Sequence, residues 1–432
     1  MNRKFIFTIS GLFLMSFRKN KQWILTGMLI FLFVEVKSNC SFNYNTNDSA
    51  QTAPKKYDSL LSHQEDIRDF IRKFVKIKNF LFEDSVKNKG LGPFLSILPS
   101  PGYAMVLGSN AIVTSNISFY TDSSKKRISN FQLSNLYSQY LQSLNVINSL
   151  IYIEKFKLSL IGDWEINKFP TNTYGLGNNT KITDADPLDF WQAKFYQFVS
   201  YEISSNIFTG FGYHFNYYWD IQEVNKSSNV ITDFDRYGFT THSCSSGPTL
   251  IFLYDSRANS INASQGLYCN IEYSPSFTFM GSNENWQSLL IDARKYFTFP
   301  QATNNVLAFW SYNVFTLSGK PPYLDLPSTG YDAYNNTGRG YVQGRYRGLS
   351  YMSFDAEYRF PLTKSGLLGA VVFVNSQSFT TETTKYFNQI IPGGGFGLRI
   401  KINKFSKVNA AIDYGFGVEG SRGFSLNLGE FF

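Results

Sequence analysis

Few residues in this 432-residue chain have the type and spacing for bond-making chemistry. Histidine occurs three times, at His63, His214 and His242. His214 lies within Tyr213-His214-Phe215 and His242 stands beside Ser243. No Ser/His/acid arrangement at a defined spacing can be read out, so enzyme activity is not expected. The cysteines are Cys40, Cys244 and Cys269, and their spacing resembles no metal site. No cofactor is expected. An oxidising compartment would permit a Cys244–Cys269 disulfide, and neither position requires one. What stands out is an Arg-Gly-aromatic triplet, Arg339-Gly340-Tyr341, in the stretch GRGYVQGRYRGLSYMSFDAEYRFP at 338–361. Gly permits a tight backbone turn. Arg offers a planar fork of donors that can bridge carboxylates in a narrow polar space.

Such a residue needs a wall to hold on to, and the rest of the chain supplies one. Aromatic residues make up 18% and charged residues 17%, against about 25% charged in ordinary globular domains. From residue 93 hydropathy alternates with period two. Met352, Phe354, Ala356, Tyr358 and Phe360 alternate with Ser353, Asp355, Glu357 and Arg359. Val408, Ala410, Ile412, Tyr414 and Phe416 alternate with Asn409, Ala411, Asp413, Gly415 and Gly417. Successive side chains of a strand point to opposite faces. An apolar set on one face and a polar, charged set on the other is the pattern of a transmembrane barrel.

The expected fold is all-β, a 16-stranded antiparallel transmembrane β-barrel over 93–432 with a short N-terminal periplasmic helix. The strands run at 94–103, 109–120, 127–137, 145–154, 156–167, 193–203, 206–220, 248–257, 266–276, 286–297, 304–316, 349–361, 366–375, 394–402, 407–417 and 422–432. The long connections 168–192, 221–247, 317–348 and 376–393 all follow odd-numbered strands. Long loops on one rim and tight turns on the other are a barrel's habit, and an even count puts both ends in the periplasm. In hydrocarbon every backbone N–H and C=O needs a protein partner, so the last strand must pair with the first. The first carries Pro99 and Pro101, which cannot donate to a ladder. The seam is therefore expected to be short and weak.

The N-terminus reads as a targeting segment. Arg18, Lys19 and Lys21 form a basic region, Trp23 to Val34 an apolar one, and Val36 and Ser38 suit cleavage after Ser38. Met15 offers a second start with a more ordinary signal peptide. A lipoprotein reading at Cys40 is the weaker one, and a retained span would be short of about 20 residues. The segment to Ser38 holds six Lys/Arg and one Glu, so +3 of the formal +8 remains after it. That gives no argument for nucleic-acid binding. Residues 39–92 read as a polar periplasmic linker followed by an amphipathic helix over 62–78. Ser62 and Glu65 form a capping-box signature there. Ile67, Phe70, Ile71, Phe74 and Ile77 mark one face, and lysines and arginines the other.

Residues 338–361 resemble the sixth extracellular loop and following strand of the BamA/TamA superfamily, also called the bacterial surface antigen family. In that family the loop folds into the barrel and its Arg pairs with acidic groups on the inner wall. The resemblance covers about 93–432. It implies an outer-membrane protein connected with protein insertion or translocation, as an accessory subunit of an assembly machine in one version. Glu357 matches the family's acidic partner. Where the family has an Asp on the next strand this chain has Asn375, leaving Asp355 or Asp292 to compensate. Tyr254-Asp255-Ser256-Arg257 before Gly266, LLIDARKYF at 289–297 and the terminal Phe432 also fit. Phe432 resembles the sorting signal read by the barrel-assembly machinery, although Glu430 departs from the usual apolar residue. The implied partners are outer-membrane lipid, that machinery, and a periplasmic or outer-membrane protein. No POTRA domain is expected, because residues 39–92 read as linker and helix. The alternative function is a passive pore or structural barrel.

Overall fold

The computed structural model describes residues 64–67, 69, 91–104, 108–124, 126–139, 142–168, 170–224, 231–301, 303–333 and 335–432. They belong to one compact unit, Ala53–Phe432. The expected signal peptide, the linker and most of the 62–78 helix lie outside the described residues.

Sixteen antiparallel strands form a nearly closed barrel. They are β1 Phe94–Ala104, β2 Gly108–Phe119, β3 Ser129–Ser138, β4 Ser143–Ile153, β5 Leu158–Lys168, β6 Asp186–Ser204, β7 Ile207–Glu223, β8 His242–Asp255, β9 Gly266–Ser276, β10 Trp286–Thr298, β11 Val306–Ser318, β12 Ser350–Pro361, β13 Leu368–Phe379, β14 Ile391–Asn403, β15 Val408–Gly417 and β16 Arg422–Leu428. A short strand, Thr171–Thr173, pairs with the outer end of β6. Every barrel strand pairs with its neighbour in the chain. The longest connections follow β5, β7, β11 and β13, as the alternation of long loops and tight turns led one to expect.

The faces are inverted relative to a soluble protein. On β12, Ser353, Asp355, Glu357 and Arg359 are buried in the lumen, while Met352 and Phe354 are exposed on the outside. Phe211 and Phe424 are 70% and 76% exposed. Polar groups enclosed by a strand wall, with aromatic side chains turned outward, suit hydrocarbon outside and water or protein inside. No described helix is long and apolar enough to cross a membrane.

Several strand ends differ from expectation by three residues or more, and three of them show why. β6 begins at Asp186 and β8 at His242, because these strands run on above the membrane. There they pair through residues such as Asp189 and Ser245 that carry no hydrophobic alternation. β16 stops at Leu428, where Gly429 takes φ +117°. That left-handed backbone favours Gly, and it turns Glu430, Phe431 and Phe432 into the lumen.

The seam also corrects an expectation. Among the described residues no ladder joins β16 to β1. Pro99 and Pro101 stand in mid-strand, opposite Val113 and Ala111 of β2, and neither can donate to a neighbour. Side chains hold the seam instead. Phe94 stacks on Phe405 of the β14–β15 turn, with ring centroids 5.8 Å apart and planes 7° from parallel. Leu98 packs against a cluster containing Val408 and Leu428. An aromatic pair contributes about 1 kcal/mol beyond its buried area. Phe405→Ala should therefore lower the temperature at which the folded, SDS-resistant form is lost on a gel. Phe424→Ala, on the outer face, should leave that temperature nearly unchanged.

Candidate functional site

The long connection 319–349 folds inward and crosses the lumen. Its first part, Tyr323, Leu324 and Leu326, joins a buried cluster with Leu188, Phe190, Tyr218 and Phe234 at the outer mouth. Arg347, fully buried, donates through Nη1 to the carbonyls of Tyr323, Leu324 and Leu326 at 3.0, 3.3 and 3.1 Å. Further in, Asp332 Oδ2 accepts from the amides of Asn336 and Thr337 at 2.9 and 2.7 Å. That acceptor turns the chain back on itself. The Asn148 side chain of β4 reaches the Ala333 carbonyl at 3.0 Å, and Asn336 Nδ2 donates to the Phe431 carbonyl at 2.7 Å. The loop thus touches β4 as well as the C-terminal residues.

Arg339 sits at the centre of a buried ionic network. Its Nη1 lies 2.6 Å from Glu357 Oε2 and 2.6 Å from Asp413 Oδ2, and its Nη2 2.8 Å from Asp355 Oδ1. The guanidinium lies 3.8 Å from the centre of the Phe373 ring, which walls it off on one face. Two more arginines extend the network. Arg359 Nε is 2.5 Å from Glu357 Oε1. Arg399 bonds Asp413 at 2.5 Å and Glu430 at 2.6 Å. Three guanidinium groups therefore meet Asp355, Glu357, Asp413 and Glu430, and all seven side chains are buried. Burying one such charge alone is very costly, and removing one partner of a buried pair typically costs about 3–5 kcal/mol. The lumen-side charges oblige the loop to enter.

The backbone of the triplet is fitted as closely as its side chains. Gly340 has φ +99°, and a Cβ there would meet Phe416 N at 2.7 Å. On the facing wall Gly415 and Gly417 leave the room the loop needs. A Cβ on the first would lie 2.6 Å from Gly340 N, and one on the second would enter the Tyr341 ring. Tyr341 Oη donates to the Pro392 carbonyl and accepts from Val418 N at 2.9 Å.

The remaining expected residues take varied places. Asn375 is at the site but does not stand in for a carboxylate: its Nδ2 donates to the Arg339 carbonyl at 2.9 Å. Asp292 lies elsewhere on the wall, paired with Arg294 and accepting from Trp310 Nε1. Phe432 is buried against Trp310, ring centroids 5.2 Å apart, and its main-chain oxygen accepts from Arg359 at 2.8 Å. His214 lies between the hydroxyls of Thr249 and Ser276 at 3.0 and 2.9 Å. Cys244 and Cys269 are both free thiols. Sequence reasoning missed Asp413 and Arg399. Both belong to inward-facing sets, and Asp413 shares its alternation with Gly415 and Gly417, which was the available signal. Beside the loop, a lumen cavity of about 250 Å³ remains between Lys194, Glu272 and Tyr312, among others.

No family model matches the chain, and no curated protein matches its sequence. Solved structures match it in fold. CdiB from Escherichia coli superposes with a TM-score of 0.50 at 9% identity, over 77% of this chain and 60% of that one. The chain has the fold of a CdiB barrel. It spans less than two thirds of that protein's length. BamA from Haemophilus ducreyi lacking POTRA domains 1–3 gives a TM-score of 0.49 at 11% identity, covering 79% of this chain and 75% of that one. CdiB from Acinetobacter baumannii gives 0.48 at 12% identity, covering 80% and 67%. The CdiB-like fold agrees with the barrel architecture expected from the sequence.

Two outcomes test the site. Asn375→Asp should destabilise this CdiB-like barrel, by about 1–3 kcal/mol. It would set a fifth carboxylate among three guanidinium groups and face it toward the Arg339 carbonyl. A rise in the temperature at which the folded form is lost would show that the wall accepts the extra charge. The second concerns Asp325, outside the strands, which accepts from Asn216 and Ser245 at 2.5 Å each. Burial pushes its carboxyl up to about 6 from the ordinary 3.8, and those hydrogen bonds pull it only partly back. The folded state therefore holds this proton more tightly than the unfolded chain does, so stability should rise as pH falls through about 6 and level off below the ordinary carboxyl range. Unfolding curves between pH 7 and 4 should show the rise, and Asp325→Asn should remove it.

Proposed function

We propose that this chain is an integral outer-membrane barrel that takes part in the insertion or translocation of proteins at that membrane, as an accessory subunit of such a machine. The observation that carries this reading is the missing ladder between β1 and β16 among the described residues. Unpaired strand edges offer N–H and C=O groups to another extended segment. Elsewhere around the barrel those groups are spent on neighbours, so a client or partner strand has its opening at the seam. Outer-membrane lipid surrounds the exposed aromatic belt. The rim of tight turns faces the periplasm, where the chain's earlier residues enter.

The seated loop supports the same reading against a passive pore. A connection that touches β4 and also binds β12, β13 and β15 leaves separate cavities in place of a wide channel. Phe432 serves as a sorting signal for the barrel-assembly machinery before folding, since in the folded barrel its ring is buried. We assign no reaction to the lumen: His214 meets two hydroxyls, and no described carboxylate orients it.

Depletion of the protein in its own cell, followed by measurement of the other outer-membrane barrels and secreted proteins, tests the proposal. Loss of a defined subset supports it. An unchanged profile, together with large steady conductance in planar bilayers, would favour the passive-pore reading.

A further inference from the structure

At the rim of tight turns lies a second cavity of about 350 Å³, below the outer edge of the Arg339 network. Its inner floor is formed by Arg359, Arg399 and Glu430, which are already paired with one another or with Glu357 and Asp413. Its rim carries three further cations: Lys364 on the β12–β13 turn, Lys401 near the end of β14, and Lys407 on the β14–β15 turn. Lys401 faces the lumen with Arg399, two residues before it. None of the three ammonium groups lies within ion-pair reach of a carboxylate among the described residues.

An acidic segment of the chain itself already sits beside these lysines. Glu65 N donates to the Ser365 carbonyl at 3.1 Å. Asp66, buried, accepts through Oδ2 from Lys404 N at 3.1 Å. Asp69 pairs with Lys404 Nζ at 2.8 Å. The same rim therefore holds an acidic stretch at the start of a helical turn by backbone bonds and carboxylate contacts, and it leaves three ammonium groups without an ion-pair partner among the described residues. One water needs about 10–15 Å³ of such space, so the cavity has room for side chains of a peptide as well as a small ion. Like charges gathered around a partly enclosed cavity repel one another and draw in a segment of opposite sign.

We propose that this turn-side mouth is a docking site for an acidic peptide segment of a partner protein, whose carboxylates pair with Lys364, Lys401 and Lys407. Access from the periplasm rests on the orientation given under the proposed function. The binding itself does not.

The test uses the full chain in detergent micelles and a fluorescein-labelled Glu-Ser repeat peptide, read by fluorescence anisotropy. Binding should weaken steeply with added salt. The K364Q/K401Q/K407Q variant should bind at least about tenfold more weakly, while its far-ultraviolet circular dichroism and SDS resistance match the parent. Lys155→Gln, on another turn of the same rim, should leave affinity unchanged. Equal affinity in the triple variant, an equal loss in Lys155→Gln, or displacement by inorganic phosphate at concentrations like those of the peptide would each overturn the proposal. The last would mark a small-anion site. Labelling of a cysteine placed at Lys404 from outside intact cells would overturn the orientation alone and leave the binding result standing.

Discussion

A guanidinium group cannot stay in the middle of a barrel without carboxylates around it, and the carboxylates cannot stay there without the guanidinium. Arg339 with Asp355, Glu357 and Asp413 is that mutual requirement, in a space closed by the Phe373 ring. Much of the local sequence answers to it. Gly415 and Gly417 hollow the wall, Gly340 lets the loop tip turn against it, and the chain end bends inward at Gly429 to bring Glu430 to Arg399. A buried ionic cluster of this kind is weak evidence for net stability, since an apolar packing could do as well. It does specify one register: each acid has a named partner, and a loop displaced by a residue would strand several charges.

The same constraint accounts for the division of labour around the barrel. The β12–β15 wall is fastened to the loop by charge, and Arg347 gathers the loop's own carbonyls at the outer mouth. The opposite edge, where β1 meets β16, is held by Phe94, Leu98 and their contacts, with prolines in place of donors. A barrel built this way has a charge-locked side and a side where, among the described residues, apolar side chains make the join. Apolar contacts are non-directional, so they can separate and re-form without breaking a hydrogen-bonded ladder.

The strand count, the parity of long loops and the inward face of β12 were legible in the sequence, because alternation with period two reports directly on which side of a wall a residue stands. The triplet Arg339-Gly340-Tyr341 was legible for a different reason: a short motif of unusual composition in a long connection. Less could be read where several long-range choices compete. Asn375 and Asp292 are as polar as Asp413, and only the pairing of strands decides which of them meets the arginine. The ends of β6 and β8 escaped notice because strands that leave the membrane no longer need an apolar face. The inward turn after Leu428 depends on Arg359 and Arg399, distant in sequence, which draw Glu430 and the last main-chain oxygen into the lumen.

Hydrogen exchange of the loop amides in the detergent-solubilised protein tests the seated loop most directly. The amides of Thr329, Asn336, Thr337, Tyr341 and Gly344 all donate within the folded connection. Their exchange should be as slow as that of the β12 and β13 amides. Exchange at the rate of an open surface loop would mean that the connection lies outside the lumen, and the ionic network around Arg339 would then not exist.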